Sequence, residues 1–478
     1  MNLNHSKTKI ICTLGPASSD LNTLVKMIES GMDCARLNLS HGTHEEHKKM
    51  ISLVRKASKI KKEPTAIILD LQGPKIRTGK IKNGKTFLTP GKELIISVID
   101  CLGDNKKIST TYKNLPKDVK IGDIILINDG LIKLKVKSKS ATQIKTEIIF
   151  GGELSNNKGI NLPTAKVSTR SCTEKDLIDL EFGIKNEVDF VALSFVRSAN
   201  DIKYLRSQII KKIEKGRRLP IIAKIEKQEA LNNIDEIIAE ADAIMIARGD
   251  LGVECELEEV PLAQKMICKK CAKAGKPVII ATQMLESMIE NPRPTRAEAN
   301  DVANAVLDGA DAVMLSGETS VGKHVPTVIK IMDTIVKRTE KSSLDRIFSL
   351  HDKQENPISI MRSIGNSACV LAKQVGAKAI IPITHSGETA KVIARYRPEA
   401  YIIAATSRPR IQRRLNLYWG VRSILVPSFN NTDATFPIIC NALLKNNLVS
   451  RGDKIVVTAG LPLHGRGNTN MLKVQVVE

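Results

Sequence analysis

The stretch PIIAKIEKQEALNNIDEIIAEADAIMIARGDLG, residues Pro220 to Gly252, decides the fold. Its two apolar runs, Ile221 to Ile225 and Ala243 to Ala247, have the length of buried strands and flank an apolar-periodic segment long enough for one helix. This is a strand, helix, strand unit. Lys224 and Glu226 stand where the first run meets polar sequence, and Arg248 and Asp250 where the second does. In a parallel sheet these positions lie at the carboxyl ends of neighbouring strands, so Glu226 and Asp250 converge although 24 residues separate them. Two convergent carboxylates suit a hard divalent cation such as Mg²⁺, which prefers oxygen ligands and keeps several waters. Lys224, two residues from Glu226, falls on the same strand face. One acidic residue after a strand is commonly surface decoration. Four charged residues on consecutive strands read as a site.

The chain has 478 residues, 42% of them hydrophobic, which is too long for one ordinary domain and ample for a large core. Three domains are expected. Aromatic residues make up only 3%, so the core must be built from Ile, Leu, Val and Ala, as in a β/α barrel. The formal net charge of +22, from 73 Lys and Arg against 51 Asp and Glu, raises nucleic acid as a partner. The basic residues are spread along the chain without interleaved aromatics, so an anionic small-molecule substrate accounts for them more simply. Neither nucleic acid nor membrane is expected as a partner. The nine cysteines are scattered except for Cys268 and Cys271, which lack the second pair that a structural zinc site wants. Reduced thiols, together with a start lacking a signal-peptide core, predict a cytoplasmic protein.

From Thr8 onward, apolar strands alternate with helical patterns: TKIICTLGP, DCARLNLSHG and PTAIILDLQGPKIRTG. After Gln72 the pattern changes to short alternating runs punctuated by NGK, TPGKE, KIGD and INDG, up to about Val167, which reads as an all-β insertion. Strands resume at DFVALSFV, PIIAKIE, AIMIARGD, PVIIATQML and AVMLSGE, after a helix entry at Thr173 to Asp176 that looks like a capping box. Eight β/α units imply a closed barrel, and active-site residues in such barrels come from the carboxyl ends of strands. Those ends supply Arg36, Asn38, Ser40, Asp70, Lys224, Glu226, Asp250, Thr282, Ser316 and Glu318. The expected layout is barrel over 1–71 and 168–342, an inserted β-barrel lid over 72–167, and a C-terminal α/β domain over 343–478. A polar stretch, KSSLDRIFSLHDKQENP at 341–357, reads as the linker to that last domain.

Three local features admit two readings each. THSGET, between a strand and a helix, is either an anion cradle at a helix start or an ordinary polar turn. Gly249 and Gly252 make a turn at a strand end and also let backbone amides approach an anion, two readings that are compatible. His44 and His47 read HEEH rather than a metal-binding spacing and are assigned to an exposed helix start.

The motifs ARLNLSHG (Ala35 to Gly42), AKIEKQEA (Ala223 to Ala230), IMIARGDLGVE (Ile244 to Glu254) and the long block from Ala281 to Thr319 give the chain a resemblance to the pyruvate kinase family over nearly its whole length. The resemblance implies transfer of a phosphoryl group from phosphoenolpyruvate to ADP, with Mg²⁺ or Mn²⁺ as cofactor. By resemblance Arg36 grips the phosphate, Lys224 stabilises the transferring group and the enolate, and Glu226 with Asp250 holds the metal. The amides of Gly249 and Asp250 would receive the substrate carboxylate, and Thr282 would help protonate the enolate, with Ser316 and Glu318 beside it. The matching nucleotide contacts are Asn38, His41, Arg77 and Lys158.

The resemblance also implies a homotetramer and a monovalent-cation pocket from Asn38, Ser40, Asp70 and the Leu71 carbonyl. Lys75 stands where K⁺-requiring members have glutamate, so either its ammonium replaces the ion and K⁺ is not required, or it is a solvated lysine at the lid hinge. A phosphorylated effector is expected at the loop with Thr384, Ser386, Gly387 and Thr389, together with Gly465 to Thr469, but Glu388 there disfavours a bisphosphate. Two rival functions stay open at the level of sequence. One is a lyase or aldolase of a related enolate-forming barrel, which would not need the lid or Lys158. The other is a basic RNA-binding protein on a barrel scaffold, which would show steeply salt-dependent binding.

Overall fold

The computed structural model describes residues 5–165, 167–214, 216–348, 359–427, 432–461 and 469–478. Eight parallel strands close into a barrel: β1 (Lys9–Thr13), β2 (Cys34–Asn38), β3 (Ala66–Asp70), β4 (Phe190–Leu193), β5 (Ile221–Ile225), β6 (Ala243–Ala247), β7 (Val278–Ala281) and β8 (Ala312–Leu315), with β1 paired to both β2 and β8. Every residue of β1, β3, β5, β6, β7 and β8 is buried, because helices cover the outside while short side chains fill the inside. Ile11, Ala66, Ile68, Ala192, Met245 and Met314 belong to an apolar cluster that continues through the barrel floor to Leu417, Tyr418 and Val421 of the C-terminal domain.

The chain leaves the barrel after β3 and forms a six-stranded and a two-stranded sheet before returning. Alternation decides this segment. In Ile132–Lys139 the residues Ile132, Leu134 and Val136 are buried while Lys135 and Lys137 face solvent. Beyond the barrel, β9 (Ala379–Pro382), β10 (Tyr401–Thr406), β11 (Val421–Leu425), β12 (Lys454–Ala459) and β13 (Met471–Val476) form one sheet in the order β11, β10, β9, β12, β13, antiparallel only at β13.

A repeated device closes the barrel floor. An aspartate stands immediately before each even-numbered strand, at Asp33, Asp189, Asp242 and Asp311. Each accepts a backbone N–H from the start of the preceding odd strand: Ile10 at 3.0 Å, Ile67 at 3.0 Å, Ile221 at 2.9 Å and Val278 at 2.9 Å. The carboxylates satisfy strand-end amides that have no ladder partner, and in turn attract arginines.

Three expectations need correction. The segment between β5 and β6 is two helices, Gln228–Asn232 and Ile234–Glu240, because Asn233 leaves helical geometry at φ −105° and ψ 17°. The stretch read as a linker from Lys341 is helical as far as Phe348, the end of the helix Val325–Phe348, and 349–358 lie outside the described residues. His44 is not a solvent-exposed decoration: it stacks on Phe182 and pairs with Asp179 at 2.7 Å. The entry at Thr173 is a capping box, its hydroxyl accepting from the Asp176 amide. Among the described residues no helix is long and apolar enough to cross a membrane.

Candidate active site

At the carboxyl end of the barrel a chain of buried charges crosses four strands. Arg36, on β2, donates from Nε to Asp70 on β3 at 2.7 Å and from Nη1 to the Thr13 hydroxyl of β1 at 2.9 Å. Lys224, on β5, lies 3.4 Å from Asp70 and 2.7 Å from Glu226, and it donates to the Ser194 hydroxyl at 2.8 Å. Glu226 also accepts the Phe195 amide at 2.7 Å. All four ionisable side chains are at most 10% exposed. Burial opposes charge on Lys224, yet the Asp70 and Glu226 carboxylates outweigh it and hold the ammonium above its ordinary value. Asp70 is held below the carboxylate range, because Lys224 and Arg36 outweigh its burial. Glu226 is pushed up by burial first, which Lys224 offsets only in part, and then by the like charge of Asp250.

Asp250 comes from the first turn of the helix Arg248–Glu254 that follows β6, where an acidic side chain complements the unpaired amides. The like charge of Asp250 acts on Glu226 across the strand boundary. A divalent cation held between them would relieve that repulsion. Two carboxylates with no third His, Cys, Asp or Glu grouped beside them among the described residues fit an ion that completes its shell with water and substrate oxygens.

Thr282, after β7, has φ +70°, a conformation costly for a β-branched residue, and Gln283 follows at φ +56°. The strained turn is tied down from several sides. The Thr282 hydroxyl accepts the Gly249 amide at 2.8 Å and donates to the Ala281 carbonyl at 2.6 Å. Arg248 donates to the Thr282 carbonyl at 2.8 Å while forking onto Asp301 at 2.6 and 2.7 Å. The Gly249 amide, expected to face a substrate carboxylate, is thus already paired with Thr282, and an incoming carboxylate has to share or displace that bond. Glu318 accepts the amides of Ser316 at 2.7 Å and Leu285 at 3.1 Å, and burial pushes its carboxyl up. The Ser316 hydroxyl is buried without a hydrogen-bond partner among the described residues.

Arg77 and Lys158 lie side by side at the stem of the insertion, where Thr78 donates to the Lys158 carbonyl at 2.8 Å and Arg77 bridges to Gly159. Insertion and barrel touch through Asn161, which donates to Glu254 at 2.9 Å, and Gly130 faces Val253. Asn38 accepts the Ser40 amide at 3.1 Å, the Asp70 carbonyl accepts the Leu39 amide at 3.0 Å, and the Leu71 carbonyl accepts from Ser194 at 2.7 Å. His41 is held below its ordinary value by burial first and then by the cations Lys75, Arg77 and Arg36. Lys75 is exposed, and its ammonium makes no hydrogen bond or ion pair among the described residues.

The candidate effector loop follows β9. Gly387 takes φ +88°, its amide donates to Thr384 at 2.8 Å, and Thr389 meets Thr469 at 2.6 Å. Ser386 tops the helix Glu388–Arg395, and Glu388 pairs with Lys391 at 2.7 Å. Gly465 lies outside the described residues.

Sequence reading missed Thr13 and Ser194, which hold Arg36 and Lys224. Both stand at the carboxyl ends of barrel strands, β1 and β4, that the inventory of strand ends skipped. Phe195, at φ +54°, carries no such signal, because its contribution is a backbone amide.

A family model described as the barrel domain of pyruvate kinase matches residues 5–328, and one for its alpha/beta domain matches residues 362–475. The chain is 47% identical over 473 residues to a pyruvate kinase of Geobacillus stearothermophilus, covering 98% of this chain and 80% of that protein. It is 46% identical, at the same coverage, to a pyruvate kinase of Sporosarcina psychrophila. The crystal structure of a pyruvate kinase from Cryptosporidium parvum superposes with a TM-score of 0.93 at 37% identity, covering 99% of this chain and 97% of the other.

Proposed function

This chain belongs to the pyruvate kinase family, and on that footing we propose that it moves the phosphoryl group of phosphoenolpyruvate to ADP, yielding pyruvate and ATP as the last step of glycolysis. One observation carries the reading: the buried run Arg36, Asp70, Lys224, Glu226 at the barrel's carboxyl end. Phosphoryl transfer needs positioning and charge neutralisation more than covalent help. Two cations held by a shared carboxylate cannot drift, so their charge is preorganised for the transferring group. Arg36 takes the substrate phosphate, and Lys224 faces the bridging oxygen where negative charge develops as the enolate leaves. Thr282 and the amides of Gly249 and Asp250 orient the substrate carboxylate, and the Thr282 hydroxyl passes a proton to the enolate carbon through water. Ser316 and Glu318 stand beside that network. Asn38, His41, Arg77 and Lys158 receive the nucleotide, the last two from the insertion.

Glu226 and Asp250 would hold Mg²⁺ or Mn²⁺, which when bound neutralises phosphoryl oxygens. Asn38, Ser40, Asp70 and the Leu71 carbonyl form the monovalent-cation pocket, and Lys75 supplies the positive charge in place of K⁺. Thr384, Ser386, Gly387 and Thr389 are assigned to a phosphorylated effector. Family membership supports a cytoplasmic homotetramer.

The test is ATP formation by the purified chain. Mixing it with phosphoenolpyruvate, ADP and Mg²⁺ should yield ATP and pyruvate in equal amounts, and omitting any one of the three should stop it. ATP no higher than in an enzyme-free control would overturn the reading.

A further inference from the structure

Directly after β7 two consecutive residues that carry side chains, Thr282 and Gln283, take left-handed backbone angles, φ +70° and φ +56°. Such a pair persists only where the surroundings over-determine it. Here one guanidinium nitrogen gathers the turn: Arg248 Nη2 donates to the Thr282 carbonyl at 2.8 Å, to the Gln283 carbonyl at 3.4 Å and to the Met284 sulfur at 2.9 Å. Asp301 holds the same guanidinium from the other side, its two oxygens accepting from Nη1 at 2.7 Å and from Nη2 at 2.6 Å. A two-pronged bond to a carboxylate fixes the plane of an arginine as well as its place. Arg248 Nε is buried without a hydrogen-bond partner among the described residues, so the side chain sits where the carboxylate and the turn pull it, not where all its own donors are met.

Asp301 is the fixed end of this clamp. It lies on the helix Arg296–Leu307, three residues after Glu298, and Glu298 anchors that helix by accepting the Ser287 amide at 2.7 Å, the Ser287 hydroxyl at 2.5 Å and the Thr295 amide at 2.8 Å. The contacts therefore run from the helix between β7 and β8, through Arg248 at the end of β6, to the turn that presents the Thr282 hydroxyl. Both Asp301 oxygens are engaged by Arg248, so the carboxylate reaches the chemistry through the turn. Arg36 and Lys224 are held by a separate set of bonds, to Thr13, Asp70, Ser194 and Glu226.

We propose that Asp301 is a positioning residue for the proton step: by fixing Arg248 it sets the aim of the Thr282 hydroxyl, and with it the protonation of the enolate carbon, while leaving phosphoryl transfer to the separately held cations. This rests on the reading of Thr282 as the residue that passes a proton to that carbon. A misplacement of about 1 Å can cost on the order of a hundredfold in an aligned step.

Two rates measured on the full chain test it. Deuterium uptake into the methyl group of pyruvate, in D₂O with Mg²⁺ and ATP, reports the proton step: a methyl proton leaves to solvent as the enolate forms, and a deuteron returns to the same carbon. ATP formed in a single turnover of phosphoenolpyruvate and ADP reports phosphoryl transfer, which precedes that step. Asp301→Ala should slow deuterium uptake about tenfold or more and change single-turnover ATP formation less than about threefold. Thr282→Ala should be slow in the same exchange, and the double variant no slower than Thr282→Ala, because both act through one hydroxyl. If Asp301→Ala melts low, Asp301→Asn keeps the volume, breaks the charged fork and is measured in its place with the same expectation. Deuterium uptake slowed less than about threefold, an equal loss in both rates, or losses that multiply in the double variant would overturn the proposal. Wild type that forms ATP but takes up no deuterium would overturn it as well, whereas wild type that forms no ATP would overturn the phosphoryl-transfer reading itself.

Discussion

Lys75 is the residue on which the cation requirement turns. Its ammonium is unpaired among the described residues and, after burial, contributes to the lowered pKa of His41, so its positive charge reaches the mouth of the barrel at His41. A unit charge about 4 Å from a carboxylate is worth roughly 4 kcal/mol at an effective dielectric of about 20. The expected outcome is activity in buffers whose only monovalent cation is tetramethylammonium, with K⁺ adding little, and K⁺ dependence acquired in Lys75→Glu. Steady-state rates with and without K⁺ decide it. Wild type that is nearly inactive without K⁺ and rescued about tenfold by it would refute the replacement. Thr282 shows the other side of residue-scale reading. Its side chain is legible in ATQML, but its left-handed backbone is not, because a β-branched residue is a poor choice there and only the bonds from Gly249 and Arg248 hold it.

At the scale of elements, the floor aspartates join strand starts to one another and to the C-terminal domain. Asp33 receives the Ile10 amide, Lys9 at 3.3 Å and Arg422. Removing one partner of a buried cluster leaves the others charged and unpaired, which costs about 3–5 kcal/mol. Asp33→Ala should therefore lower the melting temperature by on the order of 5–10 °C. The exposed Glu153→Ala should leave it unchanged; equal effects in scanning calorimetry would contradict the role of the floor. The pH dependence has a definite sign. Burial opposes ionisation of Asp33, but Lys9 and Arg422 outweigh it and lower its pKa in the fold. Its stabilisation is thus present above the unfolded value of about 3.9 and lost as pH falls through the lower folded value. The aspartates stand directly before apolar runs in DCARLN, DFVAL, DAIMIA and DAVML, a position the sequence reading passed over, and their arginine partners lie up to 389 residues away, where no local pattern links such pairs.

On the scale of the whole molecule, the closed barrel makes one site from residues scattered between Thr13 and Glu318. Eight apolar runs followed by polar strand ends were enough to read the architecture, because burial on both faces leaves parallel strands with an unbroken apolar signature. The break at Asn233 and the helix through Phe348 were not readable, since capping geometry and packing, not periodicity, decide where a helix stops. The charge chain was readable in its members but not in its order. That Asp70 is shared by Arg36 and Lys224 is a fact of strand adjacency and side-chain reach. The central claim is that this chain of charges stabilises a transferring phosphoryl group. Lys224→Met tests it most directly, by kcat in a coupled ATP assay set beside stabilisation by phosphoenolpyruvate and Mg²⁺ in a thermal melt. An interaction made chiefly in the transition state appears in kcat. The account predicts a folded variant that still responds to phosphoenolpyruvate and Mg²⁺ while kcat falls by about a hundredfold or more; a folded variant that keeps a tenth or more of wild-type kcat would contradict it.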